Sequence, residues 1–349
     1  MALLQRPANP TEPPLMDSIP SLRRPAAWTV VLAFALLYLS WGTTFFAIRE
    51  GVHTYLLPPA LFGGVRVSLA GWMLLGYLCL RGERLRMPTG EFLWVVVAGL
   101  LLFVGGNGLL NVAMETVPSG VGSLLGATTP IWMALLEMLW PWGERLTLRG
   151  WIGLVVGLGG VLILMMPRLQ GAGRFVPDYG HLVLMGSSVT WALGSLIVRY
   201  RRGSGSHLAV AAYQMIAGGT VLALIGLAMG EFAELTPEKL VPGAAVSFLY
   251  LLVVGSLVGF VAFNWLLGHV PAALVGTYAY VNPLVAVLVG YLLGGEEVTG
   301  WIAAGMVVIL GGVALVRGAG ITPSRAAAQS PYRATRREIA LKACRSATS

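Results

Sequence analysis

The chain has 349 residues, of which 56% are hydrophobic and 11% charged, and its mean hydropathy is +0.77. A soluble domain carries about 25% charged residues, so this composition excludes a globular protein with a water-facing surface. The net charge of +8 would suit nucleic acid if it were clustered on one face, but it follows the loops of a membrane topology instead.

The first 27 residues are Pro-rich and lack the apolar core of a cleavable signal, so residues 1–27 are expected to be a disordered cytoplasmic tail. A membrane-crossing helix needs about 20 apolar residues. Ten stretches qualify: 28–48, 59–80, 92–114, 119–140, 149–166, 180–198, 208–229, 244–267, 272–293 and 300–316. They are separated by short breaks such as Pro58-Pro59, "RGERLRMP", "VPSG" and "HVPA", which force neighbouring helices into antiparallel hairpins. Residues 317–349 form a basic Ala/Ser/Arg-rich tail in which "RATRREIALKACR" is a candidate for a short helix on the membrane surface. Cys79 and Cys344 fall in a predicted helix and in this tail, with no disulfide or metal-ligand spacing between them.

Lys and Arg set orientation. With the N-terminus inside, 18 of the 23 fall in inner segments, four (Arg49, Arg168, Arg174, Lys239) lie outside, and Arg66 sits within a span. Both termini are therefore expected in the cytoplasm.

An internal repeat runs through the spans. "LSWGTTFFAIR" (39–49) precedes "VTWALGSLIVR" (189–199), pairing Trp41 with Trp191 and Arg49 with Arg199. "NVAMETVPSG" (111–120) matches "NWLLGHVPAA" (264–273), which pairs Asn111 with Asn264 and Pro118 with Pro271. "TTPIWMALL" (128–136) matches "VNPLVAVLV" (281–289) and pairs Thr129-Pro130 with Asn282-Pro283. This divides the chain into five-helix repeats at 28–166 and 180–316. Five is odd, so the repeats lie inverted in the bilayer, the arrangement of transporters with a midplane substrate site at the repeat interface. Pro130 and Pro283 are then expected as paired helix breaks, since an interior proline costs about 3 kcal/mol and freed backbone is tolerated only where it faces protein or a watery cavity.

The stretches "YLSWGTTFFAIREGV", "GGVRVSLAGWML", "GGNGLLNVAMETVPSGVGSLLGATTPIWMALL", "GERL" and "GTYAYVNPLVAVLVGYLLGGEEV" together resemble the EamA-type family of the drug/metabolite transporter superfamily, over residues 30–316. The resemblance implies an all-α integral membrane protein of ten helices and a central cavity. It implies export of small metabolites such as amino acids, or of lipophilic drugs, across the inner (plasma) membrane. It leaves homo-oligomerisation open. A nucleotide-sugar or phosphate-type carrier of the same fold is the alternative, as is a channel-like facilitator. The carrier would want several intramembrane cations, where only Arg66 is clear. Glu137 and Trp140-Pro141 in the fourth span depart from the expected aliphatics.

Candidate substrate-binding residues follow. Arg66 lies roughly 10 Å below the outer boundary, where an arginine must face a cavity or a partner. It could hold a carboxylate through its fork, or pair with Glu115 or helix-end carbonyls. Asn107 and Asn111 share one helix face, and with Asn264 they bond a neighbouring helix or line a polar cavity. Thr129 and Asn282 flank the breaks. Trp41, Trp191, Tyr278 and Tyr280, with Phe45 and Trp132, are candidates for aromatic walls. Glu137 is a candidate proton site, with pairing to a loop arginine as the other reading. Gly153 and Gly157 make a GxxxG spacing that suits close helix packing. The four histidines fall at predicted helix ends, and no GxSxG, HExxH or phosphate loop occurs. Neither an enzyme, a metal site nor a cofactor is expected.

Overall fold

The structure, a computed structural model, describes residues 25–83, 85–117, 122, 125–140, 143–171, 179–201, 206–285, 300–319 and 321–323. Among these, seven helices are long and apolar enough to cross a membrane: α1 (Ala27–Thr54), α2 (Pro59–Leu80), α3 (Thr89–Thr116), α6 (Tyr179–Tyr200), α7 (His207–Ala228), α8 (Pro242–His269) and α10 (Gly300–Arg317). Three further helices have shorter apolar stretches: α4 (Thr129–Leu139), α5 (Leu148–Gly171, apolar over Leu148–Leu164) and α9 (Ala272–Val285). The predicted spans 119–140 and 272–293 lie partly outside the described residues, as do Pro118 and the "GGEEVTG" break.

The helix starts follow local chemistry. Pro59 and Pro242 open α2 and α8, where the missing N–H costs nothing. The Ser206 hydroxyl caps α7 by accepting from the Ala209 N–H at 3.2 Å. The start of α2 is capped from afar. The buried Glu231 carboxylate accepts from the N–H groups of Ala60 (3.2 Å) and Leu61 (2.6 Å), which places a negative charge on the positive end of the helix dipole.

Three helices are locally underwound into π-helix: Glu50–Thr54 at the end of α1, Leu100–Gly108 in α3 and Leu251–Gly259 in α8. The last two start 151 residues apart, close to the spacing of the sequence repeat. The π turn at the end of α1 is why that helix runs past the predicted boundary at residue 48.

The two halves embrace each other. The largest interfaces pair α2 with α7 and α5 with α10, each joining a first-half helix to its own counterpart. Helix α1 packs on α8 as α6 packs on α3, and α4 meets α9. These are the contacts that an approximate two-fold exchange of the halves generates. Glycines make the close ones. A Cβ on Gly64 would lie 2.3 Å from the Ala223 backbone nitrogen, and one on Gly312 would lie 2.5 Å from that of Gly157. Gly153 and Gly157 thus sit in the α5–α10 seam, where backbones approach as small-residue motifs permit.

The expected paired breaks differ in detail. In the fourth span a turn at Ala127–Thr128 precedes α4, so Pro130 sits in the first turn of a helix, where no donor is missed. In α9 the turn is at Thr277, whose hydroxyl donates to Leu274 O at 2.6 Å. Pro283 lies six residues further on, inside the second helical piece, and leaves the Ala279 carbonyl without its helical donor.

Residues just beyond α10 form a strand. β2 (Ile321–Pro323) pairs antiparallel with β1 (Glu144–Leu146) between α4 and α5, with Arg145 opposite Thr322. The sequence had suggested only a tail there. The remainder of both tails lies outside the described residues.

Candidate functional site

Two adjoining chambers lie where the halves meet. The larger encloses about 630 Å³ counting its open mouth and is bounded by α1, α2, α3, α6, α8 and α9. The smaller, about 420 Å³, continues toward Thr129 and Ala279. Phe45, Leu110, Ser187, Trp191, Tyr278 and Asn282 border both.

The aromatic wall is built around the repeat-related tryptophans. Trp41 and Trp191 meet edge to face at 5.4 Å, and Tyr278 closes on Trp41 at 4.8 Å in the same geometry. Phe103 stands 6.4 Å from Trp191. These separations are those that aromatic quadrupoles favour.

The π segments explain how polar contacts reach this wall. A π turn shifts the backbone ladder and leaves carbonyls available, and such turns concentrate at functional sites. Three carbonyls within them accept from side chains of other helices. The Trp41 indole N–H donates to Gly255 O at 2.9 Å. The Ser187 hydroxyl donates to Gly106 O at 2.7 Å. Arg66 Nη1 donates to Leu251 O at 3.4 Å. The first two bonds cross between halves in opposite senses, α1 to α8 and α6 to α3.

Arg66 is 3% exposed and borders the larger chamber. Its other acceptors are Ser256 Oγ at 3.1 Å and Asn107 Oδ1 at 3.0 Å. No carboxylate of the described residues reaches it, so it is not paired with Glu115. Asn107 is steadied in turn by the Asn111 amide, 3.5 Å from the same oxygen.

Of the other candidates, Trp41, Asn107, Trp191, Tyr278 and Asn282 border the larger chamber and Thr129 the smaller. Asn111 donates to Pro59 O at 3.1 Å, and Asn264 donates to Gln214 Oε1 at 3.1 Å. Both asparagines are helix-to-helix ties away from the chambers. Tyr280 is fully buried against Gly157 and donates to Leu154 O at 3.0 Å. Trp132 packs on the core beside Met133. Ser187 and Ser256 are cavity residues that the sequence did not single out, since one serine in an apolar run carries little signal.

Glu137 belongs to a separate cluster at the far ends of α4 and α6. Arg199 in the last turn of α6 pairs with Glu137 through Nε (3.1 Å) and with Glu144 through Nη2 (2.7 Å). The Tyr200 hydroxyl donates to Glu137 Oε1 at 2.6 Å. Arg199 also donates to the carbonyls of Leu267 (3.4 Å) and Val270. Its repeat counterpart Arg49 donates to Val117 O at 3.2 Å. The two repeat-related arginines therefore make equivalent contacts, each donating to a backbone carbonyl at the end of a neighbouring helix.

The model of the EamA-like transporter family matches the chain twice, over residues 28–166 and 178–318. The chain belongs to the EamA-like transporter family. It is a multi-pass membrane transporter and not an enzyme. The Escherichia coli K12 protein named uncharacterized inner membrane transporter YedA is 35% identical, over 79% of this chain and 87% of its own length. The Bacillus subtilis uncharacterized transporter YvbV is 26% identical over 82% and 90%. A Salmonella typhimurium probable amino-acid metabolite efflux pump is 25% identical over 80% and 91%. A crystal structure with 23% identity superposes at a TM-score of 0.68 over 83% of this chain and 96% of that one, which shows a shared fold.

Proposed function

We propose that this EamA protein is a secondary transporter of small metabolites such as amino acids, or of lipophilic compounds, working as an exporter by alternating access. One observation carries the reading. The chambers lie between the two halves, where repeat-related Trp41 and Trp191 touch. That is where inverted-repeat transporters place their substrate. The reading includes ten crossings, an inverted pair of five-helix halves, both termini in the cytoplasm and a place in the inner membrane, where its E. coli relative's name puts that protein.

In that orientation Ile48, Leu110 and Arg66 lie toward the outer side, and the Arg199–Glu137–Glu144–Tyr200 cluster closes the inner side. A lining with one cation among the described residues speaks against a nucleotide-sugar or phosphate carrier.

The test is counterflow in proteoliposomes loaded with amino acids, organic acids, amines or lipophilic cations, with and without a pH gradient. Saturable exchange of one class is expected. Ion conductance without exchange of any class would sink the proposal.

A further inference from the structure

We infer that the cavity selects organic monoanions with an apolar, ring-sized body against zwitterions and cations. This rests on the transport reading and narrows it, setting amino-acid zwitterions aside in favour of acids without an ammonium group.

The argument starts from the charges that border the chambers. Arg66 is the one charged side chain among the described residues lining either of them. It is buried, and its three acceptors, Leu251 O, Ser256 Oγ and Asn107 Oδ1, are all neutral. Its Nε–H is buried with no acceptor among the described residues. A guanidinium placed in apolar surroundings without a counter-ion is a costly arrangement. The same arrangement is what a site looks like when the ligand brings the counter-charge. The guanidinium fork matches a carboxylate in two-point geometry.

The opposite end of a zwitterion finds no such welcome. An ammonium group brought into the chamber would need a carboxylate, and none of the described lining residues is acidic. The Asn282 oxygen, buried and without a donor, is a single neutral acceptor. It suits a hydroxyl or amide N–H and is too little to compensate a full positive charge. The aromatic faces of Trp41, Trp191 and Tyr278 would attract a lone cation, but Arg66 in the same low-dielectric chamber repels it. The same faces stack equally well on the ring of an acid. Charge thus decides between ligands of the same shape.

The experiment compares four probes that share one phenyl body: 3-phenylpropionate, L-phenylalanine, phenethylamine and 3-phenylpropan-1-ol. Their binding to the full-length protein in detergent is measured by calorimetry, and phenylpropionate, phenylalanine and phenethylamine are each tested in counterflow. The acid is expected to bind at least about tenfold more tightly than the other three. Arg66→Gln is expected to abolish that preference, and Arg66→Lys to retain most of it. Equal or tighter binding of phenylalanine or phenethylamine overturns the inference, as does failure of all four to bind. If Arg66→Gln does not fold, the wild-type comparison decides by itself. The two readings fail differently. Exchange of phenylalanine without preference for the acid leaves transport standing and removes the selectivity. Preferential binding of the acid with no exchange of any class supports the selectivity and removes transport.

Discussion

Arg66 is buried and Arg199 half-buried among apolar helices, yet their surroundings are opposite. Arg199 holds two carboxylates at 3.1 and 2.7 Å and is enclosed with Tyr200. Arg66 holds one carbonyl, one hydroxyl and one amide oxygen. A buried charge that has its counter-ion is committed to the fold. One surrounded by neutral acceptors is positioned but not neutralised, and it remains available to a ligand.

The largest effect should come from breaking the committed site. Arg199→Ala leaves Glu137 buried and unpaired, and should lower stability by about 3–5 kcal/mol, read from thermal or denaturant unfolding in detergent. A loss under about 1 kcal/mol would mean that the pair is incidental. A double-mutant cycle of Arg199→Ala with Glu137→Ala should give a coupling energy of about 1–3 kcal/mol, and additivity within about 0.5 kcal/mol would break the comparison. Tyr200→Phe removes one hydrogen bond to a charged acceptor and should cost about 1–2 kcal/mol. The smallest stability change belongs to Arg66→Gln. It removes an uncompensated charge and should shift unfolding by less than about 0.5 kcal/mol, or raise it, while counterflow is lost. A loss comparable to that of Arg199→Ala would show that Arg66 is a structural anchor.

Much of this organisation was written in the sequence. The boundaries of α2 could be read at 59–80 because Pro59 opens it and the basic "RGERLR" segment closes it. The pairing of Trp41 with Trp191 followed from the repeat, and the two rings do meet. The π segments were hidden because hydrophobic periodicity carries no contrast in runs such as "LLLFVGGNG" and "LLVVGSLVG", which are apolar all round. Without them the acceptors for Trp41 and Ser187 could not be foreseen. Asn111 and Asn264 matched by position but chose different partners, a backbone carbonyl and Gln214, because a repeat preserves place and not surroundings. Glu137 and Arg199 are 62 residues apart, and only the packing of α4 on α6 could join them.

The glycine-lined contacts carry a mechanical consequence. α2–α7 and α5–α10 each rivet a helix of one half to its counterpart in the other, with backbones too close to admit a methyl group at Gly64 or Gly312. A body fastened along two lines cannot part like a clamshell. On the alternating-access reading proposed above, its freedom would be to roll about the rivets while α1, α3, α6 and α8 tilt between them like levers. The Ser68 and Thr220 hydroxyls, 2.9 Å apart across the first seam, mark a place where a cross-link should leave such an axle turning. The same bridge set between Arg49 and Val117, or between Arg199 and Val270, would jam a lever.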